Sequence, residues 1–256
     1  MSKYVLVPDS FKGTMTSREI CEIMQHAIER IDSDAKIISV PVADGGEGSV
    51  DAFLSALGGK RKAITVTGPH FEKLSSSYGI TDDGTAVIEM SACAGLPLVY
   101  GKKNPELTTT YGVGELICNA ARSGARRIVI GLGGSATNDG GCGAAAAAGI
   151  KFYDKSGKSF IPVGRTLKDI ASIDYSGLDS ALSGVSISAM CDVDNPLLGE
   201  TGAANVFGPQ KGANAAMIAR LDAGLRHLAE VSGKAKLASM PSAGAAGGMG
   251  FGMMAF

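Results

Sequence analysis

Apolar positions along this chain switch between two periods. Tyr4 to Val7 form a short apolar run closed by Pro8, the length of a strand. Thr16 then opens a helical pattern. Glu19 stands three residues on, the spacing of a capping box, and Ile20, Ile23, Met24, Ala27, Ile28 and Ile31 recur at helical spacing, which predicts one buried face. A strand over Lys36–Val42 follows, then a helix over Ser49–Leu57 stopped by Gly58-Gly59. Further strands are predicted at Lys62–Thr67, Thr85–Met90, Arg127–Ile130 and Val185–Cys191, and further helices at Thr110–Ser123, Gly141–Ala148 and Ala213–Val231. Strands alternating with helices at this spacing predict an α/β chain with mostly parallel sheet. Two seams break the pattern: Gly68-Pro69, and the Gly/Ala/Met-rich stretch from Pro241 to Gly252.

Composition narrows the picture. The 24 Lys plus Arg against 25 Asp plus Glu leave a net charge of −1 in 256 residues, so no general field draws nucleic acid or an anionic membrane. Trp is absent and aromatics are 5%, which argues against a base-stacking platform. The opening apolar run is too short for a signal-peptide core, and no run approaches the ~18 residues of a membrane span. Cys21, Cys93, Cys118, Cys142 and Cys191 form no CxxC or zinc spacing; an odd, scattered set suits reduced thiols in the cytoplasm. Glycine is the outlier, 36 residues, about twice the ordinary ~7%.

The glycines concentrate where chemistry is predicted. Gly131 to Gly141 reads GLGGSATNDGG, entered from a strand and left by a small-residue helix. Backbone N–H groups at glycines and a helix start attract anions. Gly133, Gly134, Ser135, Thr137 and Asn138 are therefore candidates for phosphate oxygens, and Asp139 for Mg²⁺; a tight strand-to-helix turn without a ligand is the bland alternative. The same loop fits a dinucleotide fingerprint, Gly131-x-Gly133-x-x-Ala136, with Asp154 23 residues beyond Gly131, so an NAD(P)-dependent oxidoreductase is the competing reading. Against it, Asn138 and Asp139 interrupt the place where the helix should begin. Gly157-Lys158-Ser159 is no P-loop, because Phe152 occupies the required first glycine. The DGGxG of Asp44–Gly48 recurs at Asp139–Gly143, an echo of loop chemistry.

Three more polar clusters follow predicted strands: Pro8–Gly13 (PDSFKG) with Asp9, Ser10 and Lys12; Ala43–Gly48 (ADGGEG) with Asp44; and Cys191–Pro196 (CDVDNP) with Asp192. The carboxyl ends of strands form the ligand crevice of open α/β sheets, so these loops are expected to face one site, with Lys12 its most informative cation. None of His26, His70 and His227 has a catalytic companion, and no GxSxG elbow exists.

These segments, with VTGP at Val66–Pro69, IEMSACAGL at Ile88–Leu96, TTTYGVGELI at Thr108–Ile117, CDVDNPLLG at Cys191–Gly199, FGPQKGA at Phe207–Ala213 and AGAAGGMG at Ala243–Gly250, stand in one order across nearly the whole chain. In that order they resemble the bacterial glycerate kinase family. The resemblance implies ATP- and Mg²⁺-dependent phosphorylation of D-glycerate, usually to 2-phosphoglycerate, with no nucleic-acid or membrane partner; homo-oligomerisation stays open. It also implies two α/β domains, a middle one inserted into one built from both chain ends: 1–66 as half of the discontinuous domain, 67–240 as the insert, 241–256 as the start of the return. Glycerate's carboxylate makes Lys12 a candidate partner, with Arg165 and Lys211 as further ones. Asp192 or Asp44 is the expected base, Lys12 acts beside them, and Asp9, Ser10, Lys12 and Lys211 are expected around the acceptor. Family members continue beyond the point where this chain stops, so part of the return segment is expected to be missing. On that expectation the N-terminal strands expose apolar edge, and an inactive fragment is a further alternative.

Overall fold

The computed structural model describes residues 2–11 and 14–256. Lys12, and with it the end of the PDSFKG cluster, lies outside the described residues. The chain is mixed α/β. It runs β1 (Lys3–Leu6), α1 (Ser17–Glu29), β2 (Lys36–Ser39), α2 (Ser49–Leu57), β3 (Lys60–Thr67), β4 (Lys73–Ile80), β5 (Thr85–Glu89) and the short α3 (Ser91–Ala94). There follow α4 (Tyr111–Arg122), β6 (Arg127–Gly131), α5 (Cys142–Ala147), β7 (Lys151–Tyr153), β8 (Ser159–Phe160), β9 (Ser172–Asp174), β10 (Ser186–Met190), α6 (Ala203–Phe207), α7 (Ala215–Val231) and α8 (Ala245–Ala255).

The central sheet has the order β10-β6-β5-β4-β3. Its site-bearing half is parallel, with Met190 opposite Gly131 and Gly131 opposite Glu89. All three strands therefore release their chains at the same edge. β3, β4 and β5 pair antiparallel, and β7, β8 and β9 form a small antiparallel sheet. β3 pairs with β4 along eight residues, Lys60 to Thr67 against Ile80 to Lys73. The hydrogen bonds thus attach Lys60–Thr67 to the central sheet and not to β1 and β2. Beneath that sheet, Val66, Tyr78, Ile88, Ile128 and Ile130 pack with Val113 and Leu116 of α4 and Met249 of α8. A second core joins Phe152, Leu167, Leu225, Leu228 and Phe251.

At the N-terminus the capping box forms as predicted, with Thr16 accepting from Glu19 N at 3.2 Å and Glu19 accepting from Thr16 N at 2.7 Å. The buried face predicted for α1 is corrected. Ile20 is buried, but Ile23, Met24, Ala27 and Ile31 are exposed, and Ile28 is only half-buried. Helical periodicity specifies a face, not what covers it. Here β1 and β2 pair parallel with each other, and among the described residues no further strand joins them. Val5, Val7 and Val40 are exposed as well. No helix among the described residues is long and apolar enough to cross a membrane.

Candidate active site

Two adjacent parallel strands create the site. The GLGG turn leaves β6, and the chain from Cys191 leaves β10; Leu132 N donates to Met190 O at 3.2 Å, so the two exits stay in register. Onto them docks the loop after β2. Gly133 N donates to Gly45 O at 2.9 Å. A Cβ on Gly133 would stand 2.7 Å from Gly46 Cα, and one on Gly45 2.6 Å from Met190 O. Backbone meets backbone here, which only glycine permits. The result is a cavity of about 200 Å³ lined by Asp44, Gly133, Gly134, Ser135, Cys191, Asp192 and Lys211, with Ala245 and Ala246 at its wall.

Lys211 enters from a 3-10 turn after α6, Pro209–Lys211. It is only 1% exposed. Its Nζ donates to Ser135 Oγ at 2.9 Å and to Thr137 O at 2.6 Å. Burial pulls its pKa down to about 7, against a weaker upward pull from Asp139. Sequence reasoning placed this lysine near the acceptor; the structure places it against the glycine loop.

Asp44 and Asp192, the two candidate bases, line the same cavity. Asp44 Oδ1 also accepts from Gly46 N at 3.2 Å, which steadies the loop. Asp9 and Ser10 do not line it; Asp9 is exposed and accepts from Ser10 N at 2.7 Å, a local turn contact. Arg165 is committed elsewhere. It pairs with Glu106 at 3.3 Å, as Arg220 does at 2.7 Å, and the two guanidinium groups hold the buried Glu106 carboxyl below its ordinary range. His227 Nε2 lies 2.7 Å from Ile170 O, a packing contact, and no histidine lines the cavity.

The inner half of the glycine loop turns away from the cavity. Asp139 is fully buried, and Oδ2 accepts from Thr110 N at 2.7 Å, Thr110 Oγ1 at 2.9 Å and Gly143 N at 3.2 Å, while Oδ1 accepts from Gly141 N at 3.1 Å. Burial raises its pKa and the four donors oppose that rise. Asp139, the residue expected to hold Mg²⁺, thus fastens the starts of α4 and α5 and does not line the cavity. Thr137 and Asn138 are likewise fully buried and do not line the cavity. Thr137 Oγ1 and both amide atoms of Asn138 have no partner among the described residues, and orphaned buried groups of this kind normally meet an ordered water or ligand.

Glu89 was not legible in the sequence. It ends β5, is buried, and accepts from Val50 N at 2.7 Å across 39 residues. It thereby caps α2, whose own N-cap is Gly48. Burial raises the Glu89 pKa. In the sequence it stands only as a residue near the end of the predicted strand Thr85–Met90 and within the IEMSACAGL segment; its place opposite Gly131 is set by strand pairing.

The residues present fit a nucleotide phosphate, since a buried lysine, a serine hydroxyl and a glycine turn face one cavity. Among the described residues no group of three or more His, Cys, Asp or Glu is arranged for a metal. Mg²⁺ in phosphoryl-transfer sites needs only one or two carboxylates besides phosphate and water, and Asp44 and Asp192 supply two.

The sequence model of the glycerate kinase family matches residues 4–256. Glycerate 2-kinase of Escherichia coli (strain K12) is 49% identical over 259 residues, covering 99% of this chain and 68% of its own length. Glycerate kinase of Bacillus subtilis (strain 168) is 46% identical over 259 residues, with the same shares. A crystal structure described as glycerate kinase 2 from Salmonella typhimurium LT2 superposes with a TM-score of 0.88 at 42% identity, covering all of this chain and 70% of that one. With the family matched almost end to end and relatives this similar, the chain belongs to the glycerate kinase family and is, with them, a kinase.

Proposed function

We propose that the chain transfers a phosphoryl group from ATP to D-glycerate in an Mg²⁺-dependent reaction, with 2-phosphoglycerate as product. One observation carries the reading beyond family membership: Asp44, Asp192, Lys211 and the Gly133–Ser135 turn converge on a single cavity at the carboxyl ends of parallel strands. Phosphoryl transfer asks a protein for positioning, charge neutralisation and a carboxylate at the attacking hydroxyl. The turn and Ser135 suit the donor phosphates. Asp192 or Asp44 is the group that accepts the hydroxyl proton, and the other, or both, would hold Mg²⁺, which when bound neutralises phosphate charge. Lys12 remains the proposed cation for the acceptor carboxylate, with Asp9 and Ser10 on its loop.

The test is ADP release coupled to a reporter enzyme, with D-glycerate, other 2-hydroxy acids and Mg²⁺ varied in turn, and the product identified by phosphorus NMR. Turnover only with ATP, D-glycerate and Mg²⁺ together is expected. A 3-phosphoglycerate product corrects the regiochemistry alone. Asp44→Asn and Asp192→Asn should each lose most of kcat with an unchanged circular dichroism spectrum; full activity in both sinks the assignment of the base. Nucleotide binding without turnover is the outcome of an inactive chain, and NAD(P)H oxidation that ignores ATP is that of the dinucleotide reading.

A further inference from the structure

Lys211 presents an unbalanced charge. Its ammonium is buried, yet both groups it touches, the Ser135 hydroxyl and the Thr137 carbonyl, are neutral. Among the described residues no carboxylate stands within ion-pair distance of it. Asp139 acts on it only through space and is itself held by four donors. Asp44 and Asp192 line the same cavity, as does the Cys191 thiol. Two of the three ammonium N–H bonds are occupied by the internal partners, which leaves one for whatever enters.

A buried cation without a counter-ion favours its neutral form, and an anion brought beside it reverses that preference. We propose that Lys211 is the counter-charge for a phosphate group bound in this cavity, and that arrival of the phosphate is accompanied by uptake of a proton at its amine. The inference rests on the phosphoryl-transfer reading for the identity of the anion. It also moves Lys211 from the acceptor carboxylate to the phosphate, because its amine is tied to the glycine loop at Ser135 and Thr137.

The sign follows from linkage. In the ligand-free protein the amine titrates near 7, so at pH 8 it is mostly neutral. A bound phosphate raises that value, and the complex holds the proton. Net uptake should approach about 0.9 proton per phosphate ligand at pH 8 and fall to roughly half a proton at pH 7.

Isothermal titration calorimetry of the full chain with MgATP, without acceptor, in buffers of different ionisation enthalpy reads this number directly. Inorganic phosphate and adenosine serve as separate titrants. Uptake with MgATP and with phosphate, but not with adenosine, is the expected result; uptake with MgATP alone places the nucleotide's own phosphates, not free phosphate, at Lys211. Lys211→Arg should bind MgATP with no proton uptake, because a guanidinium keeps its charge. Lys211→Met should weaken MgATP at least tenfold while leaving adenosine unchanged. MgATP binding by the unsubstituted chain with no uptake at pH 8 overturns the inference and leaves the kinase reading standing. Uptake undiminished in Lys211→Arg overturns the assignment to this residue. Failure of MgATP and phosphate to bind at all overturns both. The measurement on the unsubstituted chain decides the matter even if a variant does not fold.

Discussion

Asp139→Asn separates two roles for one carboxylate. If Asp139 fastens α4 to α5, the substitution strikes the fold; if it holds Mg²⁺, it strikes the metal dependence. Three donors converge on Oδ2 and one on Oδ1. An asparagine can keep its carbonyl at the Oδ2 position, but its NH₂ then faces Gly141 N–H, donor against donor. Leaving that buried N–H without an acceptor costs about 1–3 kcal/mol. Losing a negative charge at the starts of two helices costs a further ~0.3–1 kcal/mol each. Burial opposes the charge in the unsubstituted chain, as its raised pKa records, so relief of that cost offsets part of the loss. The net expectation is about 2–4 kcal/mol, which for a chain of this size lowers the melting midpoint by roughly 5–15 °C. Thermal unfolding followed by far-ultraviolet circular dichroism measures it, and an Mg²⁺ titration of turnover runs beside it. A midpoint within about 1 °C of the unsubstituted chain, joined to a raised Mg²⁺ requirement, would refute the clamp and restore the metal role.

Two further changes probe neighbouring contacts. Gly133→Ala places a methyl 2.7 Å from Gly46 Cα and 2.9 Å from Gly46 N, so the loop bearing Asp44 must shift; kcat should fall on the order of a hundredfold with little change in the spectrum, and an unchanged kcat would disprove the docking argument. Glu106, whose pKa is lowered chiefly by Arg220 and then Arg165 from an ordinary value of 4.5, lends stability above that pH, and the contribution disappears as pH falls through the lower native value. Both arginines are more than half exposed, so Glu106→Gln should cost only about 1 kcal/mol at pH 7 and flatten the acid limb of a stability–pH curve; a curve parallel to that of the unsubstituted chain contradicts it.

What could be read before the fold was known depended on the range of the interaction. The Thr16–Glu19 box is local, and it formed. Strand-end loops were legible only as a set: each alone reads as ordinary turn chemistry, as the Asp9–Ser10 turn is, but the loops bearing Asp44, Ser135 and Asp192 do share a cavity. β4 carries no strand signal of its own: Lys73–Ile80 holds three consecutive serines, Ser75 to Ser77, and its strand is imposed by β3 and β5 on either side rather than by propensity. The face of α1 failed in the opposite direction, since periodicity was present and a covering layer was not. The direction of a loop's side chains was also beyond reach. Ser135 faces the cavity while Thr137, Asn138 and Asp139 turn inward, and nothing in SATND marks where that turn occurs.

The repeated DGGxG shows how one local signal serves two constructions. Both copies place a left-handed glycine as the N-cap of the following helix, but not the same one: the last glycine of the motif for α2, Gly48 with φ 93°, and the middle one for α5, Gly141 with φ 76°. Glycine can adopt that geometry, but it brings no side chain to the first N–H groups of the helix, which still need an acceptor. A carboxylate answers in both cases. For α5 it is Asp139, the aspartate of the motif itself. For α2 it is Glu89, from a strand 39 residues away, while the motif's own aspartate, Asp44, accepts from Gly46 N and lines the cavity. The same five-residue pattern therefore starts its two helices at different points: Asp139 stands two residues before its N-cap and reaches the helix N–H groups, whereas Asp44 stands four before Gly48 and a distant strand end supplies the acceptor.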